Sequence, residues 1–427
     1  MKTFLFRPFP GALLASLSLV LGASAALAGD WSHIMGPSSD RKTAENAAPW
    51  TSGAPKQLWK ISAGSGFSSF VTGEGRAYTV ITTQAGGSSH ETAIAVDRKT
   101  GKTLWQTPLG VADYDQGGDR GAQGNNGGDG PRATPVFAGG SVFVFGGNMD
   151  LYALKAGTGE VLWKHDLIKE FGGRNLHWNN AASPLVLADR VLVAGGGSGQ
   201  SYLAFGLADG RVLWKKGADR ATQSTPVVAT IHGKVQAIFM AERGIVAVDP
   251  VDGRELWHYP FPFRTATAAS PVVWQDIVNC SAGYGVGGGA CQIVRNGDTW
   301  ESTELWRSPG NRDTAAHWST AVAVDGYLYG CYGHGEYGSG AFKCIDIRTG
   351  KVQWEKKGFG HGQVIVAGNR LLATTDAGKL TLIEPTPKEY HELAAAKVID
   401  GKVWASPAFS DGQVLLRSTT QGVCLEL

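Results

Sequence analysis

The chain has 427 residues, with 39 Lys and Arg against 37 Asp and Glu and a formal net charge of +2. That balance gives no reason to expect nucleic acid or an anionic membrane as a partner. Hydrophobic residues make up 43%, which excludes a mainly disordered chain. Sixty glycines and 14 tryptophans beside only 18% charged residues point to strands and turns rather than long helices.

The first 28 residues read as an export signal. Lys2 and Arg7 precede an apolar stretch from Leu13 to Leu27, and Ala26-Leu27-Ala28 is the small-x-small pattern of a cleavage site. The apolar run is short for a membrane span and ends in small residues. Cleavage after Ala28 places the mature chain in the periplasm or outside the cell, with no integral membrane segment. No Cys follows that site, so a lipid anchor there is not expected.

Residues 29–55 form an N-terminal extension, and 56–427 a single repeating domain. Seven segments end in Trp: Gln57-Leu58-Trp59, Thr103-Leu104-Trp105, Val161-Leu162-Trp163, Val212-Leu213-Trp214, Glu255-Leu256-Trp257, Glu304-Leu305-Trp306 and Val352-Gln353-Trp354. Successive Trp residues are 43 to 58 positions apart. That spacing suits four short strands and their turns, one propeller blade per repeat, as in WD40-like architectures. Thr-Gly or Asp-Gly turns precede most of the Trp strands. Their Gly supplies positive φ for a tight hairpin, while the Asp or Thr caps the turn backbone. Each Trp then wedges between neighbouring blades, contributing up to about 5 kcal/mol for ~200 Å² buried.

Eight inner-strand starts give an independent count. They are Ser68-Ser69-Phe70-Val71, Ala133-Thr134-Pro135-Val136, Ala182-Ser183-Pro184-Leu185, Ser224-Thr225-Pro226-Val227, Ala269-Ser270-Pro271-Val272, Ser319-Thr320-Ala321-Val322, Gly362-Gln363-Val364-Ile365 and Ala405-Ser406-Pro407-Ala408. The last block lacks a Leu-Trp strand, so Gln57–Lys60 is expected to complete the eighth sheet and close the ring. The seventh blade, with no Trp from Pro387 to Val398, is expected to fill that place with Leu393. The fold is therefore an all-β, eight-bladed propeller of four-stranded antiparallel blades.

The recurring strand, Asp-x-x-Thr-Gly and Leu-Trp pattern resembles the PQQ-like β-propeller repeat over residues 56–427. That family includes quinoprotein alcohol and glucose dehydrogenases, the outer-membrane assembly lipoprotein BamB and many secreted propellers. The Trp31–Pro37 opening is similar to the Trp-x-x-x-x-Gly-Pro start of the last group. A dehydrogenase in this family implies PQQ with a calcium ion held by acidic and amide oxygens, plus an Asp base. No residue here matches those positions. There is also no adjacent Cys pair and no Cys-x-x-Cys-His for covalent haem.

Long loops on a rigid ring usually either carry function or are disordered. Four insertions, Val111–Pro131, Ile168–Asn180, Ala282–Ala290 and Gly333–Gly340, are expected on the face where the inner strands begin. Asp113, Asp115, Asp119 and Asp129 raise the question of calcium, but the spacing lacks the closing Glu of an EF-hand, so the segment reads as a solvated lid. The hydroxyl residue that recurs at seven inner-strand starts, Gln363 being the exception, reads as structural because its regularity follows the ring. Two positions earlier the residues differ from blade to blade. Phe67, Arg132, Ala181, Gln223, Ala268, Trp318, His361 and Trp404 therefore mark a mouth suited to a planar or anionic ligand. His317 lies beside Trp318, and Arg174, His177 and Trp178 come from a neighbouring insertion.

Cys280 with Cys291, and Cys331 with Cys344, lie on successive strands and are disulfide candidates outside the cytoplasm. The competing expectation is a small buried thiol, with Cys291, Cys344 and Cys424 in the slot held by Ala95, Ala153 and Ala247. The ten His residues lack paired zinc spacing, and no catalytic set is recognisable. The leading reading is a binding or scaffolding protein that takes a protein or small-molecule ligand on its loop-rich face. The alternatives are a quinoprotein oxidoreductase using PQQ and a BamB-like assembly factor.

Overall fold

A computed structural model describes residues 29–112, 114, 130–176, 178–263, 267–311, 313–333 and 340–427. The export segment 1–28, Asp113, Asp115, Asp119, Asp129 and His177 lie outside the described residues. The described chain forms eight sheets. Their innermost strands are Val71–Gly73, Val136–Ala138, Leu185–Leu187, Val227–Ile231, Val272–Trp274, Val322–Val324, Gly362–Ala367 and Ala408–Ser410. Each begins at or just after one of the eight motifs, and we number the blades one to eight in this order. The only α-helix among the described residues, Leu167–Phe171, opens the second insertion.

Blade eight is built from both ends of the domain. Lys56–Ser62 pairs antiparallel with Gln421–Glu426, placing Trp59 opposite Cys424. The seam to blade one is held by the buried guanidinium of Arg417. It donates to the carbonyls of Ser68, Val80, Gly64 and Ser65 and to Thr79 Oγ1.

A bulge recurs at the Leu-Trp step of the outer strands. In blade one, Ala95 faces Trp105 and Val96 faces Thr103, so Leu104 is skipped. The Trp therefore always meets one fixed position on the third strand. That position is Ala95, Ala153, Ala204, Ala247, Ala290, Cys344 or Cys424. A small residue there leaves room for the indole. This corrects two expectations. In blade five the slot belongs to Ala290, and Cys291 stands one place on, opposite Glu304. In blade seven Leu393 occupies the bulge, Ala394 takes the Trp position, and Leu382 faces it. The large and small partners have exchanged strands there.

Six of the seven Trp residues dock on the next blade through the indole N–H. Trp59 donates to Arg98 O at 2.7 Å, Trp105 to Ala156 O at 2.9 Å and Trp214 to Pro250 O at 3.0 Å. Trp163, Trp306 and Trp354 donate to Leu207, Ile347 and Thr386. The rings of Trp59, Trp105, Trp163, Trp214 and Trp306 lie on the turn glycines Gly101, Gly159, Gly210, Gly253 and Gly350 of the following blade. Trp257 is the exception. The following hairpin, Gly287–Asn296 with Thr299–Ser308, runs ten residues per strand before turning. No turn lies within reach, and Trp257 donates instead to Gln236 Oε1 at 2.6 Å in its own blade.

The N-terminal extension crosses the ring. Ser32 O accepts from Phe137 N in blade two, and Trp31 exchanges hydrogen bonds with Thr72 in blade one. Ser39 Oγ accepts from Val228 N in blade four, and Arg41 O accepts from Val366 N in blade seven. Lys42–Thr43 then pairs parallel with Gly362–Ala367, so blade seven has five strands rather than the expected four. The Trp31 ring packs against Gly36, at φ 74°, which accounts for the Trp-to-Gly-Pro spacing of the opening motif. His33 is buried beneath blade three. Its Nε2 bonds Pro184 O at 3.1 Å, and its Nδ1 accepts from Met35 N. Burial lowers its pKa to about 4.

Candidate functional site

The hydroxyl residues at the inner-strand starts form a directional hydrogen-bond ring. Ser69 N donates to Thr134 Oγ1 at 2.9 Å, Thr134 N to Ser183 Oγ at 3.1 Å, and Ser183 N to Thr225 Oγ1 at 3.0 Å. Ser270 N donates to Thr320 Oγ1 at 3.0 Å, Thr320 N to Gln363 Oε1 at 3.5 Å, and Ser406 N to Ser69 Oγ at 2.8 Å. Six of the eight blades thus satisfy a strand-end N–H of the blade before them, which supports the structural reading of this series.

Above this ring the irregular residues divide into clusters. Trp318 and Trp404 stack with centroids 4.8 Å apart and planes at 22°. Phe67 stacks on Trp404 at 5.0 Å and 26°. This row links the entries of blades six, eight and one, with the two Trp rings half-buried and Phe67 buried. Lys402 Nζ lies 5.1 Å from the Trp404 ring centre.

A second row joins Trp178 to His317 through Tyr284. Tyr284 stacks on Trp178 at 6.4 Å and meets His317 edge-on at 4.9 Å. Tyr284 was missed in the sequence because a single Tyr in a Gly-rich insertion has no periodic signal. Trp178, Asn179 and Tyr284 all have positive φ, near 60°. Non-Gly residues adopt that backbone at a cost, so tertiary contacts hold these loops.

Other sequence candidates serve different ends. Gln223 is buried, and its Nε2 donates to Asn179 O at 3.4 Å, fastening one mouth loop. Arg174 is exposed, and His361 is half-buried at the entry to blade seven. Arg132 lies 5.9 Å from the Tyr114 ring centre. Beside them is Glu91, buried at 3% exposure and also missed, because it sits in an otherwise ordinary strand. Tyr114 Oη and Gly147 N both donate to its carboxylate. Burial raises the Glu91 pKa against these hydrogen bonds.

All five cysteines are buried and unbridged. Cys280 pairs with Gly289 and Val278 with Cys291, while Cys331 pairs with Phe342 and Tyr329 with Cys344. Each candidate pair is therefore diagonal, roughly 7–8 Å apart at Cα on such a ladder. Cα separations in disulfides mostly fall below about 6.8 Å.

Among the described residues, no three His, Cys, Asp or Glu side chains converge to hold a metal ion. Glu91 is already committed to Tyr114 and Gly147. No helix among them is long and apolar enough to cross a membrane.

Comparison with known proteins agrees with this architecture. Residues 89–330 and 338–425 match the family described as outer membrane protein assembly factor BamB. The chain is 25% identical over 265 residues to outer membrane protein assembly factor BamB of Shewanella oneidensis. That alignment covers 59% of this chain and 64% of the relative, less than two thirds of its length. BamB from Moraxella catarrhalis superposes with a TM-score of 0.59 at 13% identity, covering 88% of this chain and 98% of that one. Quinohemoprotein alcohol dehydrogenase from Comamonas testosteroni superposes with a TM-score of 0.65 at 14% identity, covering 95% and 82%. At those identities the two structures show a shared fold. With its family match, eight blades and inter-blade Trp docking, the chain belongs to the PQQ-like propeller family described under the name BamB.

Proposed function

We propose that this protein is an exported binding or scaffolding propeller that holds a segment of another polypeptide on its loop-rich face. The observation that carries the reading is the Phe67–Trp404–Trp318 row, a run of stacked rings across three blade entries with two of them half-buried. Accessible aromatic surface of this kind supplies contact area at low entropic cost, as binding hot spots do. The Trp178–Tyr284–His317 row widens the platform. The relatives named as outer membrane protein assembly factors support a protein as the partner. The basic-apolar-small pattern of residues 1–28 supports a periplasmic or secreted location.

A test is fluorescence anisotropy of a labelled outer-membrane β-barrel chain, diluted from urea into the mature protein. Saturable binding is expected, weakened about tenfold by Trp318→Ala or Trp404→Ala, with unchanged far-UV circular dichroism. Equal binding by both variants overturns the reading. Oxidation of an alcohol or sugar with PQQ, calcium and an artificial electron acceptor replaces it with the oxidoreductase alternative.

A further inference from the structure

Arg41 belongs to the N-terminal extension, yet its side chain reaches the hydroxyl ring. It is 2% exposed and sits at φ 63°, a left-handed conformation that Arg seldom adopts. Nε donates to Val364 O at 2.9 Å, and Nη2 donates to Gln363 Oε1 at 3.1 Å and to Ser406 Oγ at 2.8 Å. All three acceptors are neutral. Among the described residues no carboxylate pairs with this guanidinium, and Nη1 makes no hydrogen bond to the protein. Burial lowers its pKa only to about 9, so it stays charged at neutral pH. A buried cation with neutral partners alone is unfavourable unless something else compensates it.

The ring supplies a second, independent feature. Ser69, Thr134, Ser183, Thr225 and Thr320 each accept a backbone N–H through the side-chain oxygen. Their hydroxyl protons meet no acceptor among the described residues. A hydroxyl that already accepts still has one O–H to donate. Two of these residues adjoin the Arg41 contacts, since Ser69 Oγ accepts from Ser406 N and Thr320 N donates to Gln363 Oε1, and no acidic side chain contributes to the ring.

We propose that the axial ring binds a small free oxyanion, of the size of sulfate, phosphate or acetate, against Arg41 Nη1 and the inner-strand hydroxyls. The anion neutralises the buried guanidinium by charge-assisted hydrogen bonds. This site is built from the extension and the inner ring, and it does not depend on what the aromatic face holds.

The test uses the full mature chain in two measurements. Crystals soaked in sodium bromide are expected to show an anomalous peak on the axis beside Arg41. Calorimetric titration with sodium sulfate in chloride-free buffer is expected to show one saturable site. That site should weaken at least about tenfold in Arg41→Gln and stay within about threefold in Arg41→Lys. Bromide peaks confined to the outer surface, or the same sulfate affinity in Arg41→Gln, overturn the proposal. If Arg41→Gln fails to fold, the bromide soak of the unaltered protein decides alone.

Discussion

Arg41 Nη2 lies 3.1 Å from Gln363 Oε1, although the two residues are 322 positions apart. Gln363 is the one inner-strand start without a hydroxyl, and this contact explains the exception. Its amide oxygen accepts from Arg41 and from Thr320 N, while its Nε2 donates to Trp318 O at 3.1 Å. A Ser or Thr at this position is too short to make all three connections. The extension, the ring and the aromatic mouth thus meet at one side chain.

Trp docking should be measurable blade by blade. Trp214→Phe removes the bond to Pro250 O and should cost about 1 kcal/mol, while Trp214→Ala should cost about 3–5 kcal/mol. Gly253→Ala puts a Cβ into the Trp214 ring at φ 72° and should lower the urea midpoint clearly. Gly297→Ala has φ 63° but open space around it, so only the backbone cost of about 1 kcal/mol applies. Equal midpoints for the two Gly variants would contradict the docking account.

Stability should fall on mild acidification because of His33. Its folded pKa, about 4, lies below the unfolded value of 6.5, so the unfolded chain binds the proton more readily. The stabilising contribution of the neutral ring is complete above pH 6.5 and is lost as pH falls towards 4. Protonating Nδ1 also ends its acceptance of Met35 N. His33→Gln should flatten the dependence of urea midpoint on pH over this window. An unchanged slope would show that other groups control it.

The thiols should be silent in the folded protein. Burial pushes Cys291, Cys344 and Cys424 up to about 12, and raises Cys280 and Cys331 well above the usual thiol range. Little thiolate forms near neutral pH. A maleimide reagent should label none of the five in native buffer and all five in denaturant. A mass increase of two protons on reduction would instead show a disulfide.

Arg417 should govern the seam between blades eight and one. Arg417→Met keeps the aliphatic bulk but leaves the Gly64 carbonyl without its Arg417 donor and takes the second donor from Ser65 O, which still accepts from Thr82 N. A loss of about 1–3 kcal/mol is expected for a buried carbonyl left without its donor. Hydrogen exchange should rise first at Val71–Gly73 and Gln413–Arg417. Uniform exchange around the ring would argue that this seam is no weaker than the others.

Repetition made most of the fold legible. Trp spacing, turn glycines and hydroxyl motifs each encode the same local sheet eight times over, so local errors average out. The bulge shifted Cys291 and Leu393 by one place because register depends on strand pairing, which a single strand does not encode. Among the candidate residues, Trp318, Trp404, Trp178 and His317 stand out in the sequence as departures from the repeat. Tyr284, Glu91 and Arg41 do not, since nothing local distinguishes them.

By itself the sequence determined the number of blades and the strand that completes the eighth. These follow from periodic patterning, a property of neighbouring residues. Only the tertiary structure decided that the extension crosses the ring, that Trp318 meets Trp404, and that a guanidinium from residue 41 stands among hydroxyls from distant blades. Such contacts depend on where separate segments arrive in space, and no short-range pattern encodes that arrival.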